Sequence, residues 1–527
     1  LAFVLLPAAP AAAVTLHVPG DFPTIGAALS MADSGDVVQV ACGTYAETGL
    51  LLPRGVSLLG NPGDSSCVVI QGGATYASIL TIGPADEATI VRWVTFRGGR
   101  ALEGAAIYSR SFMTGSPVVE GCRFEDNEAA SKGGAINRPR LRITNCEFVD
   151  NRAKSGGAVF SSDTVVIEAS TFRRNRSTDY AGAGGGVIVK HGEVRDCLFE
   201  ANWAAAIAGG LWVDSQGSVE VYDCTFRADS ASAFGGGAAT HICSASFRQC
   251  LFEANHTGGR GGGLRVYASN IPVEDCLFLD NTAMDAGGGY AGDAINSSQA
   301  PAGAVRSCTF LRNGAAVGGG AAGVRQGNPS FEACVIQGSV AGGAFGWETT
   351  AHDPSLVCCD LYDNVGGDWT GRIADLAGVN GNFSADGLFC DPYSGDVSGT
   401  SPLLPENNEC GVTIGSGGPG CAVDAIAIYT VHPLVTAFSG IRPSPFRGTT
   451  QLHFSLASAG RARLTVYDVS GRLVRKLQDR EWPAGEHVVE WNGRTDAGAA
   501  AAGIYFVRFE AGERRQTERV VFLGSRR

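Results

Sequence analysis

From Val119 onward, apolar residues recur in a fixed frame. Val119, Ile143, Ile167, Val194, Val221, Phe247, Val273, Val305, Phe331 and Leu356 stand three residues before a common position, and Phe124, Phe148, Phe172, Phe199, Phe226, Phe252, Phe278 and Phe310 stand two residues after it. That position holds Cys122, Cys146, Ser170, Cys197, Cys224, Cys250, Cys276, Cys308, Cys334 and Cys359, at intervals of 24 to 32 residues. Three residues past each Phe comes a polar column, Asn127, Asn151, Asn175, Asn202, Asp229, Asn255, Asn281 and Asn313. Farther on, a glycine pair such as Gly133-Gly134, Gly156-Gly157 or Gly209-Gly210 precedes a short apolar run such as Leu211-Trp212-Val213.

A period near 26 residues predicts a stack of equivalent coils. Each coil has room for about three short strands and buries too little apolar surface to fold alone, so its stability comes from its neighbours. The expected fold class is all-β: a right-handed parallel β-helix of about a dozen coils with strands stacked about 4.8 Å apart. Periodicity alone does not fix the hand, although three faces with a period in the twenties favour the right-handed form. Asn and Asp at the recurrent polar positions fit corners that need left-handed backbone, and their side chains can bond along the stack.

The pairing of Phe-x-x-Asn with Gly-Gly-Ala-[Ile/Val] (Phe124 to Asn127 with Gly133 to Ile136, Phe148 to Asn151 with Gly156 to Val159) resembles the repeats of polymorphic outer-membrane proteins. The similarity runs from Gly121 to Asn313 and implies the right-handed form. Such coils serve adhesins, autotransporter passengers and polysaccharide-cleaving enzymes alike, so it implies little about chemistry.

Residues 14–425 are assigned to the β-helix with an N-terminal helical cap. In the cap, Thr24 is the expected N-cap and Ile25, Ala28 and Leu29 share one helix face. Such a helix would cover the open strand edges of the first coil. The runs Asp21 to Leu29 and Gly35 to Glu47 resemble the opening of pectin methylesterase and related pectate-lyase-like proteins, and no active-site residue comes with that resemblance. Ahead of it, Leu1 to Ala13 is apolar and closes on alanines, the pattern of a signal-peptide remnant. It is too short for a transmembrane segment.

Beyond a linker at 426–440, residues 441–527 change character. Alternating strands are expected at 451–456, 461–471, 472–477, 487–491, 503–510 and 519–523, forming a small Ig-like β-sandwich. Pro443 to Phe446, Tyr467 to Gly471, Ala484 to His487, Trp491-Asn492, Gly503 to Tyr505 and the tail Arg526-Arg527 carry a resemblance to type IX secretion sorting domains and to the Ig-like domain of flagellar hook-capping proteins. It implies export, a secreted or cell-surface location and secretion machinery as a partner.

Charge divides along the same line. Residues 432–527 hold 15 Lys+Arg against 9 Asp+Glu, which leaves −18 of the overall −12 on the rest. An acidic β-helix is not expected to bind nucleic acid or anionic membranes.

The chain has sixteen cysteines. Same-column residues on adjacent coils point in parallel about 4.8 Å apart, beyond the usual reach between disulfide Cβ atoms of about 3.5–4.5 Å. Cys122, Cys146, Cys197, Cys224, Cys250, Cys276, Cys308 and Cys334 are therefore read as a buried structural ladder of reduced thiols. The disulfide candidates are Cys42 with Cys67, and among Cys358, Cys359, Cys390, Cys410 and Cys421 the pair Cys410–Cys421. No metal-ligand spacing occurs, no cofactor is implied, and calcium is indicated by no motif.

Four residues past each glycine pair stand Arg138, Ser161, Lys190, Asp214, His241, Tyr267 and Asp293, an expected outward column with Trp212 and Arg265 beside it. Lys190, Trp212, Asp214, His241, Arg265, Tyr267 and Asp293 are the candidate ligand-binding residues, with Trp212 as a stacking platform. The competing reading is an outward column that is polar because water wets it. Asp214 and Asp293 fall three coils apart, about 14 Å, whereas glycosidase carboxylates pair at roughly 5–9.5 Å. A non-enzymatic adhesion, structural or glycan-binding scaffold is therefore expected, facing an extracellular polysaccharide or host or cell-surface glycan. The alternative is a polysaccharide lyase or glycoside hydrolase whose catalytic residues the sequence does not identify.

Overall fold

A computed structural model describes residues 13–73, 76–109, 115–293, 303–325, 329–347, 354–391, 393–421, 437–442, 446, 448–456, 460–482, 485–495, 498–512 and 514–524. The chain divides into two compact units, Leu1–Asp424 and Ala425–Arg527. Most of the expected leader, positions 426–436 of the expected linker and the Arg526-Arg527 tail lie outside the described residues.

The first unit is the expected stack. Three parallel sheets of 24, 13 and 9 strands run its length. In one representative coil, Arg123–Glu125 joins the 13-stranded sheet, Glu128–Lys132 the 9-stranded sheet, and both Ile136–Asn137 and Leu141–Thr144 the 24-stranded sheet. A coil thus has four short strands in three sheets, rather than the three strands expected. Two of the four strands share one sheet because Val187–Arg195 and Leu211–Tyr222 run unbroken through a corner and join the two ladders.

Two columns build the core. Nine rings from Phe96 to Phe310 stack face to face, with centroids 4.6–5.3 Å apart and planes within 3–9°. Beside them Asn127, Asn151 and Asn175 are fully buried, and each donates Nδ2 to the next rung's Oδ1 at 3.0 Å. The same Nδ2 also donates to a Phe carbonyl one coil earlier, Phe96, Phe124 and Phe148 in turn. The Asn column therefore faces inward and does not form the corner. The left-handed residue is the one before it, Asp126 (φ 54°), Asp150 (φ 55°) or Asp280 (φ 55°). A second left-handed corner stands just before the cysteine column, with Asn145, Asp196, Asp223 and Asp275 all near φ 53°.

The glycine pair marks close backbone approach. A Cβ on Gly134 would lie 2.0 Å from the Gly157 carbonyl oxygen, and one on Gly157 2.0 Å from that of Gly185.

The eight ladder cysteines are free and buried, as expected, and Cys359 extends the ladder instead of pairing. Their thiols donate to carbonyls of the preceding coil, Cys146 to Val119 at 3.5 Å and Cys224 to Val194 at 3.5 Å. Burial pushes the Cys146, Cys224, Cys276, Cys308 and Cys359 thiols well up, so they stay protonated. Cys42 pairs with Cys67, whereas Cys410 pairs with Cys358 and not with Cys421. Cys390 is also disulfide-bonded. Because Gly43 is in register with Val68, Cys42 and Cys67 are same-column neighbours on adjacent coils. The spacing argument against such pairs therefore fails at this corner, where their Cα atoms are 4.8 Å apart.

The N-terminal cap forms as read. Helix Ile25–Met31 buries Ile25, Ala28 and Leu29, and Thr24 Oγ1 accepts from Ala27 N at 3.1 Å. Glu47 accepts from the Ile25 and Gly26 amides at 2.9 Å each, tying the helix to the second coil. At the far end a 3₁₀ turn, Gly371–Leu376, buries Ile373, and Val397, Leu403, Leu404 and Ile414 fold back onto Val335.

The second unit contains a three-stranded and a four-stranded antiparallel sheet around Trp491, Phe454, Phe509 and Phe522. All six expected strands are present. An additional strand, Ala437–Arg442, begins inside the expected linker.

Candidate functional site

Two long outward columns of the β-helix neutralise themselves. In the 24-stranded sheet Arg92 pairs with Glu120 at 2.7 Å, Glu168 with Arg195 at 2.8 Å, and Arg248, Glu274, Arg306 and Glu332 alternate along the stack. In the 13-stranded sheet Arg97 pairs with Glu125, Arg173 with Glu200 and Arg227 with Glu253. Opposite charges one strand apart support the sheet and leave no row of one sign for a ligand.

The candidate column behaves differently, and its first two members do not belong to it. Register places Asn137 beside Phe160 and Phe160 beside Ile188, so Arg138 and Ser161 align with Val189. A one-residue slip turns a side chain to the opposite face, and both are 1% exposed. The Arg138 guanidinium donates to the carbonyls of Arg140, Ile82, Gly83 and Gly115, and burial pulls its pKa down to about 10.

From coil to coil His241 is in register with Tyr267, and Tyr267 with Asp293. Trp212, His241 and Tyr267 form a stacked ring row with centroids 5.9 and 5.2 Å apart. His241 and Tyr267 are half-buried, while Trp212 is only 8% exposed. The indole is packed into a satellite cluster with Ile188, Ala208 and Ala239, so it backs the row instead of presenting the open platform expected.

Asp293 is not an outward carboxylate either. It is 2% exposed and accepts from Arg260 Nε and Arg265 Nε, both at 2.7 Å. Arg265 in turn lies over the Phe234 ring at 3.8 Å and the Tyr267 ring at 4.6 Å. This buried cluster seals one end of the row and leaves Asp214 as the half-buried carboxylate of the stripe.

One contact escaped the sequence reading. Between the registers Val213↔Thr240 and Ser218↔Ser244, residues 214–217 oppose only 241–243. The resulting bulge, with Gln216 at φ 60°, brings Ser215 Oγ within 2.6 Å of His241 Nδ1. The signal in the sequence is the extra residue of the Asp214 to Gly217 run, which alignment on glycine pairs hides. Burial and the charge of Arg265 lower the His241 pKa, with Asp214 opposing them, so the ring is neutral at pH 7. Lys190 enters the stripe at the same bulge, facing 214–217 between the registers Val189↔Val213 and His191↔Ser218.

A Ser–His contact is one element of nucleophilic chemistry, which also needs a group orienting the imidazole. Asp214 Oδ1 instead accepts from the Ser215 amide at 2.7 Å. Among the described residues no group of three or more His, Cys, Asp and Glu side chains could hold a metal ion. Among them, too, no helix is long and apolar enough to cross a membrane.

Comparison with known families matches the right-handed beta helix region at residues 82–226 and 194–360, together more than half of the 527 residues, and the FlgD Ig-like domain at residues 441–514. No curated protein matches the chain. Two solved structures are similar at low identity. The catalytic domain of a GH87 alpha-1,3-glucanase in complex with nigerose shows 11% identity and a TM-score of 0.28, over 70% of this chain and 71% of that one. The enzymatically active domain of bacteriophage CBA120 tailspike protein 4 shows 10% identity and a TM-score of 0.27, over 92% of this chain and 63% of that one. The self-stacking coils and the family match over their length agree, and the chain belongs to the right-handed β-helix family.

Proposed function

We propose that this chain is a secreted or cell-surface scaffold that holds a glycan without cleaving it, along the stripe formed by Lys190, Asp214, His241 and Tyr267. The observation that carries the reading is the Trp212–His241–Tyr267 ring row. It stands apart from the two long columns that Arg–Glu pairs fill. Ring faces stack on the apolar faces of sugars, and Lys190 and Asp214 supply polar contacts beside them. The disulfides support an oxidising compartment, and the Ig-like unit is the proposed handle for the secretion machinery.

A second reading, a polysaccharide lyase or glycoside hydrolase, draws on the Ser215–His241 contact. It is the weaker one, because Asp293 is taken up by two arginines and among the described residues no second carboxylate joins Asp214 in the stripe.

Affinity electrophoresis of the full chain through gels containing neutral and uronate polysaccharides tests the proposal. Retardation by at least one polysaccharide is expected, weakened about tenfold in Tyr267→Ala, the loss of one stacking contact of about 1.4 kcal/mol. Unretarded migration throughout, or retardation by every polysaccharide unchanged in that variant, contradicts it.

A further inference from the structure

A second surface lies on the 9-stranded sheet, away from the ring row. Its outward column runs Glu128, Arg152, Arg176, Trp203, Ser230, His256 and Thr282, one residue per coil in strict register. Arg152 and Arg176 are the one cation pair in register among the described strand ladders. Both are exposed, and neither guanidinium has an ion pair or hydrogen bond among the described residues.

The nearby acids are engaged elsewhere. Glu128 binds Arg100, Asp150 binds Arg174 at 2.7 Å, Glu200 binds Arg173 at 2.7 Å, and Asp179 accepts from the Ala181 amide at 2.9 Å. Like charges directly opposite on neighbouring strands destabilise a sheet. Among the described residues every other Arg of the strand ladders stands beside an acid or a neutral residue, although two acids, Glu193 and Glu220, also meet in register. Two guanidinium forks about 4.8 Å apart match the span of a single oxyanion, which arginine recognises through paired N–H donors. Lys154 stands exposed on the same coil as Arg152, and the half-buried Trp203 occupies the next rung beyond Arg176.

We infer that Arg152 and Arg176 clamp one sulfate or carboxylate substituent of an anionic glycan whose sugar ring packs against Trp203. A nucleic acid is disfavoured, because its binding requires many phosphate contacts and the residues before 432 carry a net −18. The inference is independent of the ring row, since the two surfaces lie on different sheets and share no residue.

The test is affinity electrophoresis of the full chain against a highly sulfated glycosaminoglycan, polygalacturonate and neutral dextran. The variants are Arg152→Gln, Arg176→Gln and Trp203→Ala, with Arg142→Gln as a charge control on another sheet and Tyr267→Ala as the control for the ring row. Retardation by the sulfated or the carboxylated polymer is expected, with the stronger of the two identifying the substituent. It should weaken about tenfold in either clamp variant, the loss of one charge-assisted contact. Trp203→Ala should weaken it at high salt as well, while Arg142→Gln and Tyr267→Ala leave it unchanged. Equal loss in Arg142→Gln, retardation indifferent to both clamp variants, or no retardation by either anionic polymer overturns the inference. Unchanged melting temperatures of these surface variants separate lost binding from lost folding.

Discussion

At the scale of single residues, the buried Asn column contains one instructive exception. Asp229 occupies a rung, and its Oδ1 accepts from the backbone and side chain of Asn202 at 2.7 and 2.9 Å. Its fully buried Oδ2 has no partner. In the neighbouring rungs the corresponding atom is an amide nitrogen donating to a Phe carbonyl and to the next Oδ1, so an ionised Asp229 would set oxygen against oxygen. Burial accordingly pushes its pKa well above the carboxylate range. Asp360 is similar: burial first, then the charges of Asp368 and Asp386, raise it to about 8, against one hydrogen bond from the Ala385 amide. A group with a raised folded pKa contributes stability that is complete below its unfolded pKa, near 4, and that is lost as pH rises through the folded value. Urea titrations should therefore show the β-helix losing stability between about pH 4 and pH 8. Asp229→Asn should flatten part of that slope and add roughly 1–2 kcal/mol at neutral pH by restoring the missing donor. A variant no more stable than the parent at pH 7.5 would count against a protonated rung. The odd Asp was visible in the sequence, but its orphaned oxygen was not, because the direction in which each rung donates depends on register.

Elements show what periodicity can and cannot determine. The Phe, Cys and Asn columns were legible because each repeats once per coil and each repeat reports the same buried environment. Replacing a mid-stack ring, Phe172→Ala, should cost about 3–5 kcal/mol, and chemical denaturation of that variant checks it. Gly157→Ala should be comparably harmful, since its Cβ would press on the Gly185 carbonyl. Thiol chemistry tests the cysteine ladder: native protein should react with a bulky alkylating reagent essentially only at half-buried Cys243, whereas denaturant should release all ten free thiols among the described residues. Rapid native labelling of Cys224 or Cys276 would contradict the buried ladder. What escaped the sequence was local slippage. One shifted residue sent Arg138 and Ser161 inward, and one bulge set Ser215 against His241. Glycine-based alignment cannot register either change, because glycine marks where backbones approach and not which way the following side chains point. The Cys358–Cys410 bridge escaped for a related reason, since the returning C-terminal segment follows no repeat.

At the scale of the whole β-helix, stacking settles two long columns by their own alternating charges, and among the described residues the ring row on one sheet and the arginine pair on another stand apart from that pattern. A catalytic groove of the glycosidase type needs carboxylates that converge. Here the second candidate, Asp293, is neutralised inside the cluster with Arg260 and Arg265, and the ring row offers contact area without an acid–base pair. The most direct test incubates the purified full chain with each polysaccharide that retards it, with and without calcium, and follows reducing ends together with the absorbance of unsaturated products. The expected result is retention with neither product formed. Formation of either product, abolished in Ser215→Ala or Asp214→Ala, would contradict the non-cleaving scaffold and make the stripe an active site.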